Sequence, residues 1–405
     1  MFQNILTALD NSDYSDYGME LAVTLGRTYK AKVTGCHVYA AKLHETRFMD
    51  MESGLPERYQ SEDVLKKQRD IHDTLISKGL EVISDSYLDR FEKRCRVTGV
   101  DFARKSREGK NFVEIIKEAD EGDYDLAVMG FLGLGEVESS VIGGVCERAI
   151  RKIRKDMLIV KKNVPIKGRI IVAVDGSPYS YWGLTVAIGF KKAFGCDIEA
   201  VSVFDPFFHQ VAFKNIANVL SDAASQVFKF KEQEKLHEEL IDDGMAKLYK
   251  GYLTMAERVA AGRGVEIKTR LLSGKPFDEI LKVVRSEEPS LLVVGRFGMH
   301  HVPESDMGSH AENLLRLAPC NVYIGSRGMA PEIIETYTET VPPMDWTDEA
   351  RARMEKVPPF ARKMAEKAIQ DYAREHGYDK VTEEVVSEAT GRLLPTMIGK
   401  RKEDK

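Results

Sequence analysis

The chain of 405 residues is long enough for two or three domains, and 43% hydrophobic with 30% charged residues is ordinary globular composition. This composition excludes a disordered chain, a collagen-like chain and a disulfide scaffold. The net charge of −5 gives no basis for general nucleic-acid binding, and no apolar run approaches the roughly 20 residues that span a bilayer. With no signal peptide pattern and five scattered cysteines, we expect a cytoplasmic protein with reduced thiols that binds neither nucleic acid nor a membrane.

The first four fifths of the chain contain an internal duplication. Asp10 in the segment NILTALDNSDYS corresponds to Asp175 in RIIVAVDGSPYS, and Gly130 corresponds to Gly295, so that both pairs lie 165 residues apart. An offset that stays constant means that neither copy has a net insertion. The copies predict two domains, residues 1–163 and 167–326.

Each copy alternates apolar runs with helical stretches. Strands are predicted at residues 5–9, 32–39, 126–130 and 157–160 of the first copy, and at 170–174, 198–204, 291–295 and 321–324 of the second. Helices are predicted at 18–29 and 183–194. Short continuous apolar strands that alternate with helices are typical of parallel sheets covered on both faces. The fold class is therefore α/β, with two doubly wound parallel-sheet domains in tandem.

Both copies carry a long helical segment after the second strand, at residues 42–96 and 205–261. Its apolar stripes indicate core or dimer packing, or the wall of a ligand cleft. The sequence Asp242-Asp243-Gly244 would be able to break the second of these helices.

The region after Ser326 differs in character. Residues 327–345 read as a linker, and 346–400 as a small unit of three helices. Thr347 and Thr382 are placed to cap the first and third helices, because each is followed by acidic residues. The second helix is predicted at 360–376, with Gly377 at its end.

The strongest signal for chemistry is a glycine-rich loop after the strand at 291–295. Gly295 and Gly298 are followed, after nine residues, by Gly308-Ser309. Ligands of open parallel sheets bind at the carboxyl ends of the strands, and main-chain N–H groups with a helix N-terminus suit a phosphate. The Ser309 hydroxyl is able to donate to a phosphate oxygen and to cap the helix that follows it. The alternative is that the glycines only shape a turn.

Asp175 ends the first strand of the second copy. A carboxylate there accepts hydrogen bonds from an exocyclic amine or a ribose hydroxyl, or else caps the next helix. Together with the glycine loop, these residues resemble the ATP-binding branch of the universal stress protein family, over residues 1–326.

The resemblance implies roles for individual residues. The strand-end Asp and a Val after the second strand would hold adenine, and the glycine motif would hold ribose and phosphates. In the second copy the matching residues are Asp175, Val203, Gly295, Gly298, Gly308 and Ser309, and in the first they are Asp10, Val38, Gly130, Gly133 and Gly143. The first copy has Gly144 in place of the hydroxyl residue, so we expect weaker binding there, or a preference for fewer phosphates. Asn11 in place of Gly176 is a milder change.

Further side chains lie near the second glycine loop. Arg296 lies within it, either as a phosphate contact or as a solvated surface residue. His300, His301 and His310 lack the partners of a protein metal site, so a Mg²⁺ ion held by ATP phosphates is the expected metal. The resemblance also implies that the two copies pair as a pseudo-dimer through residues 158–162 and 322–325, with a homodimer as a further option.

The C-terminal unit resembles another family. Trp346, the turn VPPFAR, Gly377 and Thr382 look like the small helical domain that ends the B subunit of light-independent protochlorophyllide reductase. The rest of the chain carries no cluster-ligating cysteine pattern, so reductase activity is not implied. We expect this unit to dock an unidentified protein partner.

Three functions are compatible with these observations. The first is a stress-response regulator that senses ATP, ADP or AMP in the second copy, more weakly in the first. The second is a scaffold that binds proteins without a nucleotide. The third is a slow ATP hydrolase, although no GxxxxGK[ST], GxSxG or HExxH motif occurs.

Overall fold

The computed structural model describes residues 1–135, 140–206, 230–302, 304–331, 344–355 and 376–393, with 362, 365–366, 369–370 and 372–374 between the last two ranges. Side chains are described for all of these except 230–243 and 391–393. The chain divides into two compact units, residues 1–331 and 332–405.

The first unit contains one sheet of ten strands. Repeat one supplies β1 (Asn4–Ala8), β2 (Lys32–Tyr39), β3 (Phe102–Glu108), β4 (Leu126–Gly130) and β5 (Asp156–Val160). Repeat two supplies β6 (Arg169–Ala173), β7 (Asp197–Phe204), β8 (Lys268–Ser273), β9 (Leu291–Gly295) and β10 (Asn321–Gly325). The strand order is β3-β2-β1-β4-β5-β10-β9-β6-β7-β8. The predicted α/β class with parallel sheets is confirmed.

Helices cover both faces of this sheet. Repeat one contributes α1 (Asp13–Tyr29), α2 (Ala41–Met51), α3 (Glu62–Thr98), α4 (Asn111–Glu121) and α5 (Gly144–Lys152). Repeat two contributes α6 (Pro178–Phe194), α7 (Phe230–Ala261), α8 (Pro276–Glu287) and α9 (Ser309–Leu317). Buried residues of α1, α3, α6 and α7 form one hydrophobic cluster, and those of α4, α5, α8 and α9 form another. The apolar strands are therefore buried on both sides.

The structure differs from the prediction in three places. The outer strands β3 and β8 were not predicted, because sequences such as FARKSRE carry the polar side chains that an edge strand tolerates. Helices α1 and α6 begin five residues earlier than predicted, since Ser12 and Ser177 cap them by accepting from Ser15 N and Ser180 N. Helix α7 also continues through Gly244. The stripe predicted at residues 213–228 lies outside the described residues.

The two repeats meet at an antiparallel strand pair. Ile159, Leu158 and Met157 of β5 lie opposite Val322, Tyr323 and Ile324 of β10, whereas every other pairing in the sheet is parallel. The carboxyl ends of the strands in repeat one and repeat two therefore lie at opposite edges of the sheet. This pairing gives both last strands a partner on each side, so that neither is an edge.

Buried polar side chains fix both ends of this strand pair. The Asp156 carboxylate, fully buried at the start of β5, accepts from Ser326 N at 2.7 Å and Trp182 Nε1 at 2.9 Å. At the start of β10, Asn321 Oδ1 accepts from Lys161 N and Lys162 N at 2.8 and 2.9 Å. Each strand thus begins with a side chain that holds the backbone just beyond the end of the other.

The second unit contains a small core of its own. The strands β11 (Asp345–Trp346) and β12 (Lys380–Val381) pair in parallel, next to α10 (Asp348–Met354) and α11 (Glu383–Leu393). Thr347 caps α10 by accepting from Ala350 N, and Thr382 Oγ1 accepts from Val385 N, as predicted. Residues 362, 365–366, 369–370 and 372–374 are helical, within the range predicted for the second helix, whereas 394–400 lie outside the described residues. The short strands were not predicted.

A search of the described residues finds no helix with the length and apolar character needed to cross a bilayer.

Replacement of Asp156 tests the buried connection at the strand pair. Asp156→Ala removes the acceptor of Ser326 N and Trp182 Nε1, and we expect a loss of about 2 kcal/mol in the free energy of unfolding, measured with a chemical denaturant. Asp156→Asn is the matched control, because it keeps one acceptor oxygen, and it should lose less than half as much. Equal losses in the two variants would contradict this account.

Candidate functional site

Two cavities lie at the carboxyl ends of the strands, one in each repeat. We name them pocket one, in repeat one, and pocket two, in repeat two, with volumes of about 630 and 310 Å³. The predicted residues that line pocket one are Asp10, Val38, Gly130, Gly133 and Gly143, together with Gly144. Those that line pocket two are Asp175, Val203, Gly295, Gly298, Gly308 and Ser309. The structure therefore brings together every predicted site residue except Arg296.

A carboxylate ties the glycine loop to the first helix in each repeat. Asp175 Oδ1 accepts from Ser177 N and Asp175 Oδ2 from Met299 N, both at 3.0 Å. Asp10 accepts from Ser12 N at 3.0 Å and from Leu134 N at 3.3 Å. A carboxylate has about four lone-pair positions, so each group keeps capacity for a further donor.

The residue after each carboxylate has a left-handed backbone. The φ angle is 83° at Gly176 and 63° at Asn11. Asn tolerates this region better than most side chains, which explains why it replaces Gly in repeat one without a change of the turn. A Cβ at Gly176 would lie 2.5 Å from the Tyr252 ring, whereas the Asn11 side chain accepts from Arg90.

The first glycine of each loop is required by packing. A Cβ at Gly130 would lie 2.8 Å from the backbone of Tyr14, and one at Gly295 would lie 2.9 Å from the backbone of Tyr179 and Ser180. Helices α1 and α6 thus begin directly against the strand ends. The interpretation of these glycines as structural is supported for this position of the motif, whatever binds in the pocket.

The second and third glycines border the cavities. A Cβ at Gly298 would lie 2.8 Å from Asp175 Oδ2, and one at Gly133 would lie 2.5 Å from Asp10 Oδ2. Gly308 and Gly143 are the N-cap residues of α9 and α5, and neither cap makes a side-chain hydrogen bond. The first N–H groups of both helices are therefore not satisfied by a capping side chain, as in helix termini that bind anions.

The predicted capping role of Ser309 is wrong. Ser309 is the first residue of α9, and the N-cap is Gly308. A side chain caps a helix from the N-cap position, where its oxygen reaches the next turn. Ser309 nevertheless lines pocket two, so the predicted role of its hydroxyl as a phosphate donor stays a prediction.

The assignment of Arg296 as a phosphate contact is also wrong, and so is the alternative of a solvated residue. Its side chain is fully buried and donates to Ser326 Oγ, Ile150 O and Ile153 O at 2.8, 2.6 and 2.7 Å. Ile150 and Ile153 lie at the carboxyl end of α5 in the other repeat. Burial lowers the pKa of Arg296 to about 10, which leaves it protonated at neutral pH.

Side chains from the long helices complete the pockets. Tyr87 of α3 and His37 of β2 line pocket one, with the rings 5.0 Å apart, and Tyr249 of α7 lines pocket two. The alternative that these segments form the wall of a cleft would have found both tyrosines. Burial lowers the pKa of His37, and the Asp10 carboxylate opposes this shift.

The three histidines near the second loop also lie around pocket two. Burial lowers the pKa of His310, against the influence of the Asp175 carboxylate, while Lys275 lowers it further. His301 packs on Phe297 with ring centroids 4.7 Å apart. Within the described part of the chain, no group of three or more His, Cys, Asp or Glu side chains is placed to hold a metal ion.

Removal of each carboxylate tests its role in the loop. Asp175→Ala should speed hydrogen exchange of the Met299 amide about fivefold to tenfold, because the amide loses its acceptor. Asp10→Ala is the matched variant and should affect Leu134 instead. Exchange measured by mass spectrometry after proteolysis separates the two loops. If neither amide exchanges faster, the carboxylates do not hold the loops.

Comparison with known proteins gives two family matches. The model of the universal stress protein family matches residues 1–161 and again residues 168–324. A second model, described as the 57 kD subunit of proto-chlorophyllide reductase, matches residues 346–389.

Individual relatives agree with the first match. A putative universal stress protein of Staphylococcus epidermidis is 28% identical over 173 residues, 42% of this chain and 91% of the relative. One from Staphylococcus aureus strain USA300 is 29% identical over 157 residues, 38% of this chain and 81% of the relative. The crystal structure of a universal stress protein from Archaeoglobus fulgidus DSM 4304 has a TM-score of 0.52 at 17% identity, covering 80% of this chain and 98% of that chain, and it shows a shared fold.

The two matches of the first model include most of the chain and coincide with the two repeats of the ten-stranded sheet. The chain therefore belongs to the universal stress protein family, as two family domains in tandem.

Proposed function

We propose that this protein is a stress-response regulator that binds adenine nucleotides, with ATP, ADP or AMP in pocket two and weaker binding in pocket one. The observation that carries the proposal is that both repeats build the same arrangement. Each joins a strand-end carboxylate, a glycine loop and a helix N-terminus without a side-chain cap around one cavity. This arrangement lies where open parallel sheets bind their ligands.

The arrangement suits the two ends of a nucleotide. The N–H groups at the start of α9, with the partial positive charge of the helix, favour phosphate oxygens. Asp175 has lone pairs left for the amine of adenine or a ribose hydroxyl, and Val203 lies in the same cavity wall. In pocket one, Asp10 and Val38 would have the same roles.

Two further elements belong to this proposal. A Mg²⁺ ion, if the bound nucleotide is ATP, would be held mainly by the phosphates, since Mg²⁺ keeps most of its waters and binds few protein ligands. The C-terminal unit, which has its own core around Ala350, Met354 and Val385, would dock a protein partner. Chain pairing between copies of the protein would use surfaces other than β5 and β10, which are already paired.

A reciprocal exchange at the start of the two helices tests the proposal. Ser309→Ala should weaken ATP binding in pocket two about threefold to tenfold, because a phosphate loses one hydrogen-bond donor. Gly144→Ser should strengthen ATP binding in pocket one by a similar factor. Calorimetric titration with ATP and AMP is the measurement, and AMP should respond less than ATP in both variants.

Each titration needs the other pocket closed. Gly133→Val closes pocket one and Gly298→Val closes pocket two, since a Cβ at either position would lie within 2.8 Å of a carboxylate oxygen. Absence of measurable ATP and AMP binding to the unchanged protein would contradict the proposed function and favour a scaffold that works without a nucleotide.

A further inference from the structure

Two cations cross the boundary between the repeats. Arg296 of repeat two donates to Ile150 O and Ile153 O at the carboxyl end of α5. Lys161 of repeat one donates through Nζ to Leu315 O at 2.5 Å and Ala318 O at 2.7 Å, at the carboxyl end of α9. Each cation therefore holds the last helix of the opposite repeat at the end where a positive charge is favourable.

The two contacts are equivalent, although the cations are not. At the offset of 165 residues, the carbonyls of Ile150 and Ile153 correspond to those of Leu315 and Ala318. Arg296, however, corresponds to Phe131, and Lys161 corresponds to Ser326. Each repeat thus supplies one cation, from a different strand end, for the same contact. The feature that the repeats share is the contact itself, rather than the residue that makes it.

One series of contacts leads from pocket two to pocket one. The Arg296 carbonyl accepts from Gly308 N at 2.9 Å, at the N-cap of α9. The Arg296 side chain then binds the carboxyl end of α5, whose first residue, Gly144, lines pocket one. The helix has nine residues, so its two ends belong to one short rigid element.

A second series leads back. The Phe131 carbonyl accepts from Gly143 N at 2.9 Å, and Lys161 Nζ lies 4.0 Å from the centroid of the Phe131 ring. Lys161 binds the carboxyl end of α9, whose first residue, Ser309, lines pocket two. The glycine loop of each repeat is therefore connected to the anion-facing helix of the other.

We propose that nucleotide binding in one pocket strengthens binding in the other, with Arg296 and Lys161 as the positioning residues that couple them. The inference rests on the proposed function. A phosphate at the N-terminus of α5 would fix that helix and, through its last carbonyls, the loop that contains Arg296. The second ligand then loses less conformational entropy in ordering its loop, which gives positive coupling that is the same in both directions.

The experiment compares four chains by calorimetric titration with ATP. The unchanged chain gives the product of both association constants, and the chains with Gly133→Val or Gly298→Val give each constant alone. Their ratio is the coupling factor, which we expect to be about threefold to tenfold. In the Lys161→Met background the same ratio should fall to about one, because α9 loses its contact with repeat one.

Two further variants separate coupling from loss of stability. Lys161→Arg keeps the positive charge and should keep the coupling. Arg316→Met removes the surface ion pair with Glu147 at the same boundary, and it should leave the factor unchanged. A factor of one in the unchanged chain, coupling that survives Lys161→Met, or equal loss in Arg316→Met would each overturn the inference with the proposed function intact. Absence of ATP binding in both single-pocket chains would overturn both proposals together.

Discussion

The antiparallel pair of β5 and β10 is the constraint on which the rest of the first unit depends. It joins two five-stranded parallel sheets into one sheet and places the carboxyl ends of their strands at opposite edges. The pockets are therefore separated by the sheet, while the last helix of each repeat runs toward the edge that carries the other pocket. Asp156 and Asn321 hold the ends of this pair through buried hydrogen bonds, which are costly to leave unmade.

The glycine motif has both a structural and a functional explanation, at different positions. Gly130 and Gly295 allow the first helix of each repeat to pack against a strand end, and no ligand is needed to account for them. Gly133 and Gly298 face a carboxylate, and Gly143 and Gly308 open the N-terminus of a helix. A motif that looks uniform in sequence thus divides into one position for packing and two for the cavity.

The sequence predicts most of the architecture, because the constant offset lets each repeat confirm the other. Buried strands such as Leu126–Gly130 are apolar throughout and were predicted to the residue, whereas the edge strand Phe102–Glu108 is polar and gave no strand signal. The residues of the two pockets were predicted because they belong to one loop and the adjacent strand ends. The position of Arg296 was not, since its partners Ile150 and Ile153 come from the other repeat, about 145 residues away in sequence.

The central claim is that each repeat provides one nucleotide site. The most direct measurement is the number of ATP molecules bound per chain at saturation, by equilibrium dialysis. The account predicts two for the unchanged chain, one for Gly133→Val, one for Gly298→Val and none when both are combined. ATP that remains bound to the doubly substituted chain would contradict the account, because the nucleotide would then bind outside both pockets.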